Sequence, residues 1–304
     1  NHLDVRVSIA PTYYGENCVM RLLAERGEDL TLEKLGFSKI NLERIDRAIS
    51  KPYGMILATG PTGSGKTTTL YAILKILNKP EISIITIEDP VEYSIGGIDQ
   101  IQVNQRTGLT FAQGLRFILR QDPNIIMVGE IRDNETASIA VNAAMTGHLL
   151  LSTLHTNDAS VTLPRLLDMG VEPFLIASTV NIAIGQRLVR TICADCRVSR
   201  ALTPAEIEGL KGSVPEKYLS KLSDSWMGAG CKKCDGSGFK GRIGIHEIME
   251  INEEIRELIM KRVNASELRE AAVKGGMVPM LQDGVEKAAQ GVTTIEEVFR
   301  VFHE

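Results

Sequence analysis

The chain opens with Val5, Val7 and Ile9 in alternation with other positions, then a turn from Pro11 to Gly15, then Val19 and Leu22 before the next break. Alternation with a period of two predicts strands, here those of a small β-containing domain. From Leu32 to Lys51 the apolar residues Leu32, Leu35, Ile40, Leu42, Ile45 and Ile49 fit short helices, and Lys51-Pro52-Tyr53-Gly54 breaks the pattern. A second domain is expected to start there.

Beyond that break come short apolar, β-prone runs separated by helical patterns: MILAT before Gly60, ISIITI from Ile82, NIIMVG from Asn124 and HLLLST from His148. Strand runs alternating with helices predict an α/β fold whose mostly parallel sheet is flanked by helices. The stretch from Thr191 to Arg242 is different, with paired cysteines, many polar residues and the Gly-rich tail Asp235-Gly236-Ser237-Gly238. It reads as an irregular insertion held by something other than a core. From Ile251 onward, Ile255, Leu258 and Ile259 and the start at Ser266-Glu267-Leu268 indicate terminal helices. The expected division is therefore 1–50, 51–190, 191–242 and 243–304.

With 304 residues and 43% apolar content, the chain has material for two water-soluble cores. A formal charge of −4 gives no global field to recruit nucleic acid or an anionic membrane. The longest mainly apolar stretch, Phe174 to Gly185, is interrupted by Ser178, Thr179 and Asn181 and is too short to span a bilayer, so direct insertion is not expected. Asn1 in place of Met reads as a processed fragment whose upstream domains lie outside the sequence. Cys18, among apolar neighbours, is expected to be an inert core thiol.

The most specific chemical signal is Gly60-Pro61-Thr62-Gly63-Ser64-Gly65-Lys66-Thr67, which fits G-x-x-x-x-G-K-[ST] between a strand candidate and a helical pattern. Glycines there let backbone N–H groups curl around phosphate oxygens, and the next helix directs its positive end at them. Lys66 is expected to reach the β- and γ-phosphates of ATP, and Thr67 to ligate Mg²⁺. The run Ile125 to Glu130 is the candidate Walker B strand, but it ends in Glu where Asp is usual. Glu130 would hold Mg²⁺ through water or orient the attacking water, and the cluster Glu88, Asp89 and Glu92 is placed to share that task. Those acids follow a strand and should emerge at the carboxyl edge of the sheet; the plainer reading is a solvated acidic turn. His148 and His155 flank LLLST, where one would sense the γ-phosphate or contact a neighbouring element, unless both are structural.

Cys193 and Cys196 form one C-x-x-C, Cys231 and Cys234 another, and together they supply four thiolates for one tetrahedral Zn²⁺. The intervening Arg197–Gly230 gap exceeds common ribbon spacing, but loop closure costs rise only logarithmically with length. Two disulfides or a redox pair are the rival readings.

These motifs, in this order, resemble the type II/type IV secretion ATPase superfamily, in its pilus-extension and type II secretion branch, over nearly the whole chain. The carriers are GPTGSGKTT (Gly60 to Thr68), the acidic box ITIEDPVEY, the atypical Walker B in LRQDPNIIMVGEIRD, and the histidine box TGHLLLSTLHTND. The resemblance implies a RecA-like P-loop ATPase core and a hexameric motor using ATP and Mg²⁺. It also implies a cytoplasmic protein held at the inner membrane by a platform protein. DVRVSIAPTYYGENCVMRLL resembles the end of the family's second N-terminal, PAS-like domain, which makes Arg6 and Arg21 the pair acting across the subunit boundary. Arg116 and Arg120 in LRFILRQDP match two further family arginines near the nucleotide, and the four cysteines match the zinc module of this branch. The family's first N-terminal domain has no counterpart here.

Two other function classes are weighed against this one. A hexameric DNA translocase would want a basic–aromatic stripe that is lacking. A nucleotide-gated regulator without turnover would not need Lys66, Thr67 and Glu130 together.

Overall fold

The opening alternation forms a two-stranded antiparallel hairpin, β1 (Asp4–Thr12) with β2 (Gly15–Leu23), in a register that sets Arg6 opposite Arg21 and Ile9 opposite Cys18. The computed structural model describes residues 4–23, 31–203, 208 and 224–303. Among these, no element covers either face of the hairpin: Val7 is 50% and Ile9 59% exposed. Cys18 is therefore exposed and not the core thiol expected, because its apolar neighbours lie on an uncovered ribbon.

A turn-rich segment from Thr31 leads to α1 (Lys39–Ile49), whose N-cap Ser38 accepts from the Asn41 backbone N–H. Its buried positions Asn41, Arg44, Ile45 and Ala48 follow the helical i, i+3, i+4, i+7 spacing. The start of the expected short-helix region, from Leu32 to Gly36, is turn.

The four apolar runs become β3 (Gly54–Thr59), β4 (Ile84–Glu88), β6 (Ile125–Val128) and β7 (Leu149–Leu154); β5 (Asp99–Gln102) and β8 (Val180–Ile192) complete a parallel set ordered β8-β3-β7-β6-β4-β5. Every residue of β3, β4, β6 and β7 is buried, as parallel strands covered on both faces require. Successive side chains enter different cores. Met55, Leu57, Ile126, Val128 and Leu150 pack on one face, whereas Ile56, Ala58, Ile125, Met127 and Leu151 pack on the other. Truncating a side chain such as Leu150 to Ala should cost about 2–5 kcal/mol. Helices α2 (Lys66–Leu77), α3 (Phe111–Ile118), α4 (Asn134–Met145), α5 (Thr162–Asp168) and α6 (Pro173–Thr179) connect these strands.

After β8 the chain makes the small antiparallel pair β9 (Arg197–Ala201) and β10 (Asp224–Gly228), then returns as β11 (Phe239–Glu250), antiparallel to β8 at the edge of the same sheet. The boundary expected between 242 and 243 thus falls inside a strand of the main sheet, and the one between 190 and 191 falls inside β8. The cause is that β8 and β11 continue the core sheet on either side of the cysteine-bearing insertion. Terminal helices follow as expected: α7 (Glu253–Met260), α8 (Ala265–Lys274), α9 (Met280–Ala289) and α10 (Ile295–His303).

Buried polar pairs tie these helices to the sheet. Glu247, fully buried on β11, accepts from the backbone N–H groups of Ala159 and Met280 at 3.0 Å each. Glu297 on α10 accepts from the Arg190 backbone N–H at 3.1 Å and its guanidinium at 2.5 Å. The apolar stretch from Phe174 to Gly185 is split between α6 and β8, and no helix among the described residues is long and apolar enough to cross a membrane.

Candidate nucleotide site and cysteine cluster

The glycine-rich loop leaves β3 at its carboxyl end and enters α2 at Lys66, the strand–loop–helix setting its chemistry requires. Gly60, Gly63 and Gly65 have φ of 146°, 79° and 91°, values that L side chains rarely adopt. A Cβ on Gly60 would lie 2.6 Å from Ser64 Oγ, so the loop closes on itself only without one. Lys66 is 8% exposed, and its Nζ donates to the carbonyls of Gly60 (2.9 Å) and Pro61 (3.0 Å). Burial lowers its pKa, partly opposed by the charge of Glu130.

Beside the loop is a cleft of about 700 Å³, lined by Thr62, Gly63, Gly65, Lys66, Thr67 and Thr68 from one side and by Glu88, Glu92, Glu130 and His155 from the other. The carboxyl edge of β3, β4, β6 and β7 thus gathers the motif and the acids that sequence reasoning singled out. Glu130, 9% exposed, is held between a guanidinium and an imidazole: Arg132 Nη2 lies 2.6 Å from Oε1 and His155 Nε2 3.1 Å from Oε2. Glu88 is 2% exposed and accepts from Tyr71 OH, from Thr86 Oγ1 at 2.6 Å and from Gln100 Nε2 at 3.2 Å. Burial first, then the bond to Glu88, raises the Tyr71 pKa well above its ordinary value, which leaves the proton on the phenol. Tyr93, edge-on to Tyr71, is likewise pushed up to about 12 by burial and the charge of Glu88. Glu92 is exposed at the cleft rim.

Three of the candidates sit elsewhere, and two more, Arg6 and Arg21, lie on the β1–β2 hairpin. His148 precedes β7 at the amino edge, where Leu149 pairs with Gly54, and its Nδ1 lies 2.9 Å from the Ala143 carbonyl. A strand of six residues separates it from His155, about 20 Å along the sheet, so His148 is corrected from nucleotide contact to closure of the α4–β7 turn. Arg116 pairs with Glu135 at 2.7 Å on the surface, and Arg120 lies 5.1 Å from the Phe117 ring centroid; neither lines the cleft of its own chain. Arg6 and Arg21 are direct cross-strand partners by backbone register, and their side chains lie outside the described residues.

Several residues at the site were not named individually in the sequence reading, although Arg132 and Tyr93 fall inside two of its motifs. Arg132, Tyr93 and Arg242 line the cleft, Tyr71 caps Glu88, and Gln186 on β8 donates to the Ser64 carbonyl at 2.6 Å while accepting from Thr69 Oγ1 at 2.8 Å. A glutamine at the end of the apolar run Ile182-Ala183-Ile184-Gly185 was the available signal, since a buried amide must find partners.

The four paired cysteines converge. Their sulfurs all lie within 4.8 Å of one another, with Cys193–Cys231 at 3.9 Å, Cys196–Cys234 at 3.8 Å and Cys231–Cys234 at 3.6 Å. A tetrahedron with metal–sulfur bonds of about 2.3 Å has edges of about 3.8 Å, so the donor set fits a four-thiolate zinc site. Disulfides would need sulfurs about 2.05 Å apart. The long gap between the pairs is bridged at its base by β9 and β10, with Arg197 opposite Gly228.

Residues 1–300 match the family described as Type II/IV secretion system protein. The chain is 50% identical over 296 residues to the type IV pilus assembly ATPase PilB of Thermus thermophilus, covering 97% of this chain and 33% of that protein. It is also 50% identical over 303 residues to the type II secretion system protein E of Pectobacterium carotovorum subsp. carotovorum, covering 99% of this chain and 59% of that one. It therefore spans a third to three-fifths of the length of these relatives. The crystal structure of the pilus retraction motor PilT with bound ADP superposes with a TM-score of 0.68 at 27% identity, over 98% of this chain and 77% of that one. With the Walker loop, the acidic box and the cysteine cluster in their places on this fold, the chain belongs to the type II/IV secretion system protein family.

Proposed function

We propose that this chain is the motor part of an ATPase that hydrolyses ATP to drive assembly of a type IV pilus or a type II secretion pseudopilus. The observation that carries the reading is the cleft itself, where a buried Lys66, the hydroxyl residues Thr67 and Thr68 and an oriented Glu130 face one space of about 700 Å³. ATP phosphates would replace the two loop carbonyls now bonded to Lys66 Nζ, a better partner for a buried cation. Thr67 would help hold Mg²⁺, which would supply charge neutralisation to the bound phosphates. Glu130 is the residue best placed to orient the attacking water, because Arg132 and His155 fix both of its oxygens. Glu88, saturated by Tyr71, Thr86 and Gln100, shapes the acidic wall, and Glu92 at the rim is the more accessible acid.

The working form is a homohexamer, in which Arg6 and Arg21 of one subunit reach the phosphates of the next and Arg116 and Arg120 face the shared boundary. Zinc held by Cys193, Cys196, Cys231 and Cys234 is structural, because four protein thiolates fill its coordination sphere. The ring acts in the cytoplasm, docked through an inner-membrane platform protein, and turns phosphate release into domain motion. The relatives' names support the ATPase and the assembly role. The test is phosphate release with ATP and Mg²⁺ across a range of protein concentrations, alongside sedimentation. Turnover that rises with ring formation is expected; Mg²⁺–ATP binding with no phosphate release at any concentration would instead favour a nucleotide-gated regulator.

A further inference from the structure

Gln186 sits where β8 passes behind the phosphate loop, and it is 1% exposed. Its strand neighbours Ile182, Ala183 and Ile184 are buried and apolar, so an amide there must find hydrogen-bond partners within the protein. Both ends of the amide are used. Nε2 donates to the Ser64 carbonyl at 2.6 Å, and Oε1 accepts from Thr69 Oγ1 at 2.8 Å. The orientation is forced, because a carbonyl can only accept and the Thr69 hydroxyl is free to donate. One amide therefore bridges the loop at Ser64 and the first turn of α2 at Thr69, which also bonds through its backbone N–H to the Gly65 carbonyl at 3.0 Å.

The bond to Ser64 fixes a peptide plane. In a trans peptide the carbonyl and the next N–H point in opposite directions. Drawing the Ser64 carbonyl back onto Gln186 turns the Gly65 N–H the other way, toward the cleft that Gly65 lines. That N–H belongs to the set that would cradle phosphate oxygens at the start of α2. The glycines fit the same arrangement: a Cβ on Gly65 would lie 3.0 Å from Gln186 Nε2, and one on Gly60 would collide with the Gln186 backbone carbonyl.

We infer that Gln186 is a positioning residue for nucleotide binding, which holds the phosphate loop in its anion-binding shape through Ser64 and Thr69. The inference rests on the nucleotide reading above and adds to it a residue outside every motif of that reading. Its role is to pre-organise the loop, so its loss should weaken nucleotide affinity by lowering the fraction of loops in the competent shape.

The experiment compares wild type, Gln186→Leu, Gln186→Glu, Thr69→Val and the Gln186→Leu/Thr69→Val double variant. ADP and ATP affinities are measured by displacement of a fluorescent nucleotide, with melting temperature without nucleotide and bound zinc as checks on the fold. Gln186→Leu should bind both nucleotides about 10–100-fold more weakly. Gln186→Glu keeps the acceptor for Thr69 but sets a carboxylate against the Ser64 carbonyl, so it should also bind weakly. Thr69→Val should lose less, and the double variant should be no weaker than Gln186→Leu, because both changes break one bridge. If Gln186→Leu does not fold, Gln186→Glu and Thr69→Val decide by the same affinities. Affinities within twofold of wild type for the folded Gln186 variants, or additive losses in the double variant, would overturn the role of Gln186. A wild-type chain that binds no nucleotide would instead overturn the nucleotide reading.

Discussion

His155 Nε2 lies 3.1 Å from Glu130 Oε2, from a residue one strand away, while Arg132 Nη2 holds the other carboxylate oxygen at 2.6 Å. A carboxylate that must aim a water gains from this two-sided grip, since each bond removes a rotation. His155→Ala and Arg132→Ala are each expected to lower kcat about 10–100-fold with little change in nucleotide affinity. Steady-state kinetics beside equilibrium binding would check this, and an unchanged kcat in both variants would remove the positioning role.

Arg6 and Arg21 face each other across the β1–β2 hairpin by backbone register, on a segment that precedes the phosphate loop in sequence. Action on a neighbouring subunit would explain why both are present. A guanidinium of that kind is worth roughly a thousandfold in other phosphoryl-transfer systems. Mixing an inactive Lys66→Ala chain with an inactive Arg6→Ala/Arg21→Ala chain should restore part of the hydrolysis, because some boundaries then combine intact halves. No recovery in demonstrated mixed rings, or full activity of the arginine variant alone, would contradict this.

The cysteines should divide by reactivity. Cys18 is exposed on the hairpin, whereas the other four sulfurs lie within 4.8 Å of one another. In the native protein one thiol per chain should react promptly with a thiol reagent and the other four only after a strong chelator, with one zinc released per chain. Five promptly reactive thiols and no zinc by elemental analysis would refute the metal assignment.

Acid should loosen the attachment of α10. Burial alone would raise the Glu297 pKa, but its bonds to Arg190 and Arg300 outweigh that and bring it to about 2. Its folded value is thus below its unfolded value of about 4.3, so this stability is complete above roughly pH 5 and is lost as pH falls toward 2. Because both arginines are half-exposed, the contribution is on the order of 1–2 kcal/mol after solvent screening. Glu297→Gln should lower the melting temperature at pH 7 and flatten its fall between pH 5 and 3; an identical pH profile would exclude Glu297 as the source.

The sheet was legible because parallel strands buried on both faces leave continuous apolar runs, and MILAT, ISIITI, NIIMVG and HLLLST are such runs. β5 escaped notice because Asp99–Gln102 is a half-exposed edge strand with polar residues. β11 escaped because Phe239–Glu250 begins among exposed residues and joins the sheet only after the long insertion. At the site, contiguous motifs placed Lys66, Thr67, Glu88 and Glu130 in one cleft, since each follows or ends a strand at the same sheet edge. His148 was misplaced for a related reason: it and His155 flank one strand, which necessarily puts them at opposite edges. Gln186 and Tyr71 carry no motif, and only the fold reveals what their polar ends touch.

The central claim is that this cleft hydrolyses ATP, and separating binding from turnover tests it most directly. Lys66→Ala and Glu130→Gln would be assayed together for Mg²⁺-dependent ATP binding and phosphate release. Lys66→Ala should lose turnover through loss of the phosphate-facing cation, with binding weakened; Glu130→Gln should bind ATP near normally yet release phosphate at least about a hundredfold more slowly. Near-wild-type phosphate release by either variant would contradict the account.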